Sequence, residues 1–230
     1  MSQYSVYSDA YAVADRPTFI RKTYIHVAGA LGGLVALEAL LLNSPLAPAL
    51  TALMLGSRIS WLVAFGLFMF ATHIAGKWAS SSETRNGQYA GLALYVVAEA
   101  IILCPLLVIA SSMSAGLIPK AGLITLGVFI GLTWIAFTSK KDFSFLGGFL
   151  KIACMVALVT IVAGLVFGFS FGVWFIGAML LLVGAIILYQ TSNVIHHYHT
   201  NQYVAASLAL FSSITTLFWY VLQLLMSSRD

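Results

Sequence analysis

The chain has 230 residues, 61% of them hydrophobic and only 8% charged, with a formal net charge of +4. Soluble domains carry roughly 25% charged residues. This chain therefore lacks the polar surface a water-exposed fold needs, and lipid must be its solvent. Seven spans of ~20 residues use about 140 positions, which leaves short loops and one tail but no second globular domain. The positive charge then reads as membrane topology and lipid contact, not as nucleic-acid binding.

Residues 1–20 are rich in Ser, Tyr and Ala and have no apolar core. They are predicted to form a flexible cytoplasmic tail, with Pro17 ending any local structure, and not a signal peptide. Residues 21–230 are predicted to form one seven-helix transmembrane domain. Apolar runs fall at 24–42, 59–76, 88–110, 117–137, 145–167, 171–189 and 203–226. The stretch 46–55 is too short to span and is assigned to a loop or interfacial turn. Trp61 and Trp78 bracket the second run, ~26 Å apart at the helical rise, which suits opposite aromatic belts.

Lys and Arg divide unequally between the two ends of such a bundle. The end with the N-terminus holds Arg16, Arg21, Lys22, Lys77, Arg85, Lys140, Lys141 and Lys151, and the other holds Arg58, Lys120 and Arg229. The positive-inside rule then places the N-terminus in the cytoplasm. Cys104 and Cys154 both lie within apolar runs and are expected to be reduced and packed.

An ionisable group within a span costs roughly 2.5–3.5 kcal/mol at the helix centre, so each one raises a functional question. Glu99 lies midway along the third run. It is either an ion-pathway acid or a carboxyl hydrogen-bonded to a neighbouring helix, and burial disfavours its charged form unless a cation pairs with it. Glu38 lies toward the outer end of the first run, within reach of the interface. Lys151 can snorkel to the headgroups. His73, near the cytoplasmic end of the second run, reads as a packing residue or a pH-sensitive one. His196, His197 and His199 are too close together in sequence to face one metal ion from a regular helix, and read as a solvated loop. No metal or cofactor site is expected.

The last run carries Ala206, Ala209, Ser213, Thr216, Tyr220 and Gln223 at helical spacings of three and four. Such a small or polar stripe is excluded from lipid. It serves either close helix packing or the lining of a polar cavity, and either use surrounds this helix with the others. If the preceding hairpin turns near residues 201 and 202, Gln190 and Ser213 lie at one depth, ~17 Å from the turn.

The segment from Tyr189 through Gln190, Thr191, Ser192 and Asn193 to His196, with Thr200, Asn201, Leu217 and Phe218 beyond it, resembles the C-terminal signature of the Bax inhibitor family. The stretch from Lys140 to Gly148 is similar to its basic-Asp-Phe-Ser loop. Arg21 to Tyr24 resembles the approach to its first span. The Ser228-Arg229-Asp230 terminus is closest to the bacterial YccA-like branch. The resemblance implies an all-α integral membrane protein of seven transmembrane helices, with helix seven enclosed by the other six. It also implies a bacterial inner-membrane location. Some members are linked to a pH-dependent calcium leak and carry a carboxylate pair on helices six and seven. The matching positions here are Gln190 and Ser213, which do not ionise. His73 matches a basic residue of the second helix.

Two functions are expected from this reading. One is a cation leak, calcium being the implied ion, through a cavity lined by Ser213, Thr216 and Gln223. Glu99 is then its charged group, and any pH response comes from Glu99, His73 or the histidine loop. The other is a regulatory protein that modulates a membrane AAA protease, with residues 1–20 as the contact element. An enzyme is not expected, because the spans hold no serine–histidine or paired-aspartate constellation.

Overall fold

The structure is a computed structural model that describes residues 3–80, 84–139, 141–168 and 171–228, with side chains described from residue 15 onward. Lys140 and Arg229, both used in the orientation argument, lie outside the described residues. The helices are α1 (Gln3–Leu42), α2 (Leu46–Leu55), α3 (Arg58–Ser80), α4 (Arg85–Met113), α5 (Leu117–Thr138), α6 (Leu146–Phe167), α7 (Val173–His196) and α8 (Tyr203–Ser227). A 3₁₀ turn, Phe143–Phe145, precedes α6. Every one except α2 has a segment long and apolar enough to cross a bilayer, and in α1 this begins at Asp15. The chain is an all-α membrane protein with seven spans, as its hydropathy predicts.

Two boundaries differ from expectation. Helix α1 continues through Pro17. An interior proline removes its own backbone bond and crowds the carbonyl four residues earlier, a cost offset by packing of the segment that follows: Phe19 is buried and tilts against the Tyr198 ring. Residues 15–20 therefore belong to the packed domain and not to a tail. Residues 46–55 form a helix, not a loop. Ser44 accepts from the Leu46 amide through its Oγ at 3.2 Å, a local turn bond just before the helix.

Burial separates core helices from lipid-facing ones. Helix α8 is buried on nearly every face from Tyr203 to Leu222. It packs against α1, α3, α4, α5 and α7, while α6 packs outside, against α7 and α3. The central half of α4, Ala98–Leu107, is almost as deeply buried. By contrast, α3 and α6 turn most of their apolar side chains outward. Trp61 is an exception to the outward-facing belt expected for it, since it turns inward to stack on Trp219 with ring centroids 6.3 Å apart.

Small residues let the backbones approach. A Cβ on Gly91 would lie 2.6 Å from the Ala75 carbonyl oxygen and 2.7 Å from the Ala79 nitrogen, so α3 and α4 meet through a small-residue contact. Helices α1 and α4 run parallel in a fixed register. His26 Nε2 lies 3.2 Å from the Tyr89 hydroxyl, 63 positions later. Gly33 faces Val96 at the same offset. At the end of α6, Gly168 has φ +76° and its amide bonds the Gly164 carbonyl at 2.7 Å, a left-handed stop that suits glycine.

Gly91→Val forces α3 away from α4. It should destabilise the protein by an amount at or above the ~1–3 kcal/mol typical of overpacking. Gly122, with open space around it, should tolerate Ala within about 0.5 kcal/mol. Unfolding in mixed detergent micelles, followed by circular dichroism, compares the two.

Candidate functional site

A cavity of about 630 Å³ runs inward between α3, α4, α6, α7 and α8 from the end of the bundle opposite the N-terminus. At ~30 Å³ per molecule this is room for about twenty waters. Much of its wall is aromatic, with Trp61, Phe171, Phe175 and Trp219 among the lining residues. Its polar lining groups are Glu99, Thr216, Tyr220 and Gln223, with Thr216 the deepest of them on α8 and Gln223 the nearest to the open end. Three of the residues expected there are therefore brought together: Glu99, Thr216 and Gln223.

Glu99 is 6% exposed, and the Thr215 hydroxyl is the hydrogen-bonding group beside it. Thr216 donates its own proton to the Ser212 carbonyl at 2.7 Å, which leaves only lone pairs for the cavity. Ser213 lies one turn deeper on the same stripe as Thr216. Its hydroxyl donates to Gln190 Oε1 at 2.8 Å. The two residues placed at one depth by counting from the hairpin thus touch, and they join α7 to α8 beyond the cavity's inner end.

His73 does not belong to this group. Its side chain is exposed on the outer face of α3 and does not line the cavity. Hydropathy cannot orient α3, because its apolar residues occur on all sides. Glu38 also departs from expectation. It does not reach the interface but is 6% exposed. It continues the buried stripe of α1 formed by Phe19, Thr23, Val27, Ala30 and Leu34, at steps of three and four.

A second polar cluster closes the other end. Asp142 Oδ1 accepts from the Ser144 amide at 2.9 Å and from Ser192 Oγ at 2.8 Å. Its Oδ2 meets His197 Nε2 at 2.9 Å. Ser192 Oγ in turn accepts from the Phe143 amide at 2.9 Å. The Ser144 amide above all, then the Ser192 hydroxyl and His197, hold the Asp142 carboxyl well below the usual carboxylate range. Arg16 Nε donates to the Ile195 carbonyl at 2.8 Å, and its Nη1 donates to the Tyr198 carbonyl, placing a cation on the C-terminal carbonyls of α7. Asp142 and Ser192 lie in the two segments that carry the family resemblance, His197 in the histidine segment and Arg16 in the cationic end, but the contacts that join them were not predicted. Only the Asp142–Ser144 spacing, which suits an Asx turn, gave a local signal. Within the histidine segment, His197 is tied to Asp142 and is not simply solvated. No three His, Cys, Asp or Glu side chains among the described residues converge as a metal set.

A lipid-solvated bundle of seven spans, closed by polar clamps at one end and hollow at the other around an acidic group, is a polytopic membrane protein with a one-sided cavity. The chain belongs to the Bax1-I family, inhibitor of apoptosis-promoting Bax1, which it matches over residues 16–230. It is 35% identical over 178 residues to Bax inhibitor 1 of Schizosaccharomyces pombe, covering 75% of this chain and 60% of that protein. It is 39% identical over 108 residues to an uncharacterized protein of Pseudomonas aeruginosa, covering 46% and 48%. It is 35% identical over 105 residues to the modulator of FtsH protease YccA of Escherichia coli, covering 45% and 48%. The matched stretches thus span about half of the two bacterial relatives.

A carboxyl with a depressed folded-state pKa stabilises the fold above its unfolded value, and that contribution is lost as pH falls through the folded value. The thermal-stability deficit of Asp142→Asn should therefore be present at pH 7. It should close only below about pH 4, the ordinary Asp range. Melting temperatures of both proteins in detergent across that interval test this.

Proposed function

We propose that the protein passes cations, calcium among them, through the cavity beside α8, with Glu99 as the charged group of the pathway. The observation that carries this reading is a nearly buried carboxyl on the wall of a cavity that opens at one end of the bundle. Carboxylates within a membrane mark ion and proton pathways more than packing. The Ser213–Gln190 hydrogen bond is the closure on the N-terminal side, in the place where the family resemblance puts a carboxylate pair. On this reading the protein is a non-enzymatic bacterial inner-membrane protein with its N-terminus in the cytoplasm, the orientation supported by the Lys and Arg distribution.

Calcium flux into liposomes containing the purified protein tests the proposal. Glu99→Gln should reduce flux at least tenfold. Ser213→Ala removes a hydrogen bond worth roughly 0.5–1.5 kcal/mol, so flux should rise by about two- to tenfold. Flux that ignores both substitutions would contradict the pathway.

A second reading is regulation of a membrane AAA protease, favoured by the likeness to the relative named modulator of FtsH protease. The N-terminal part of α1 is the contact element in this case. Deletion of residues 2–14, which spares the Arg16 clamp, should slow or accelerate turnover of the protease's membrane substrates in cells without altering the abundance of the truncated protein. Unchanged turnover would remove this reading.

A further inference from the structure

Glu38 presents an unresolved chemical problem within the bundle. Its carboxyl is 6% exposed, and neither Oε1 nor Oε2 has a hydrogen-bond partner among the described residues. A buried polar group without a partner is costly, and an ionised one more so. Even a neutral carboxyl needs somewhere to donate its proton. The side chain therefore requires something the protein does not supply.

The register of α1 against α4 shows what stands nearby. The 63-residue offset seen at His26–Tyr89 and at Gly33–Val96 puts Glu38 level with Ile101. Glu99 is then about 3 Å to one side along the axis and Cys104 about 4.5 Å to the other. Both lie on the helix that α1 packs against, within one turn of the level of Glu38. Glu99 is itself buried but borders the cavity, whereas Glu38 does not.

Among the described residues no cation stands level with this pair: those of α1 itself, Arg16, Arg21, Lys22 and His26, lie ~18 Å or more away along the axis. Helix α1 packs on α2, α4, α7 and α8. Neither α2 nor α8 carries Lys, Arg or His, and the ionisable residues of α8 are Tyr203 and Tyr220. Those of α7 are Tyr189 and His196, in the half near the N-terminal end. On α4 the remaining ionisable residues are Arg85, Tyr89 and Tyr95. Arg58, His73 and Lys77 of α3 and Lys120 of α5 are all exposed. Two carboxyls in so apolar a place can be neutral together in two ways: with two protons, or with one divalent cation.

We infer that Glu38 and Glu99 form one intramembrane site that exchanges two protons for a single divalent cation arriving through the cavity. The inference deepens the cation reading above and rests on it for the route of arrival. Two neutral carboxyls plus one divalent cation give a dicarboxylate–cation complex plus two released protons, so charge and atoms balance. The Thr215 hydroxyl and cavity water complete the oxygen set, the type of ligand that hard divalent cations take.

The test measures binding separately from transport. Equilibrium binding of radioactive Ca²⁺ to the protein in phosphatidylcholine nanodiscs should saturate at one ion per chain. Where both carboxyls start protonated, affinity should rise about 100-fold per pH unit, tenfold for each proton released. Glu38→Gln should weaken binding at least tenfold and lower the slope to about tenfold per unit, while Glu38→Asp should keep the steeper dependence. Infrared difference spectra should show Ca²⁺ converting carboxylic acid to carboxylate, with half the amplitude in Glu38→Gln. Wild-type affinity and slope in Glu38→Gln, or no infrared change in the native protein, would overturn the site. If binding behaves as described but liposomes show no flux, conduction fails and the site stands. Flux that needs Glu99 but is indifferent to Glu38, with binding equally indifferent, removes the site and leaves the conduction reading intact.

Discussion

A hydroxyl, amide or carboxyl in a lipid-solvated protein must find a partner inside the bundle, and this constraint orders the whole fold. Hydrocarbon provides no hydrogen bonds, and helices gain no hydrophobic advantage by leaving lipid for one another. What distinguishes an interior helix is therefore its small and polar side chains. Helix α8 carries Ser207, Ser213, Thr215 and Thr216, and it is enclosed. Helix α6 has a single hydroxyl, Thr160, bonded within its own helix, and it stands outside α7 with Phe149, Ile152 and Val159 exposed.

The two ends of the bundle obey different physics. At the N-terminal end the contacts are charged and directional: Arg16 on the last carbonyls of α7, and Asp142 on Ser144, Ser192 and His197. Charge-assisted bonds of this kind fix geometry closely. At the opposite end, ring contacts such as Trp61 on Trp219 and Phe171 on Phe175 surround the cavity. Such ring pairs contribute packing and preferred ring geometry but no ion pair. A structure tied by charge at one end and hollow at the other opens its Glu99-lined cavity to one side only, with Gln190 and Ser213 as the inner stop.

What the sequence revealed and what it hid follow from the same physics. Span number and the stripe on α8 were legible because both are one-dimensional: hydropathy sets length, and helical spacing sets a face. Gln190 and Ser213 were paired by counting residues from a turn, and their hydrogen bond shows that depth survives folding. Rotation about the helix axis is another matter. Where all faces are apolar, as on α3, no polar face marks the outside, so His73 reads as a packing or pH-sensitive residue although it is exposed. Glu38 failed for the converse reason: its depth suggested an interface, but it is buried between neighbouring helices. The Asp142 cluster joins residues 50 and 55 positions apart, a closure no local pattern announces.

The central claim is that water reaches the polar stripe of α8 from the end opposite the N-terminus and stops before Ser213. Single cysteines at 223, 216 and 213, placed in a Cys104→Ala, Cys154→Ala background and probed with a membrane-impermeant thiol reagent added to one side at a time, measure this directly. Labelling at 223 and 216 from the far side only, with 213 unreactive from either side, is the predicted result. Labelling of 216 from the N-terminal side, or no labelling of 223 and 216 from the far side, would contradict it.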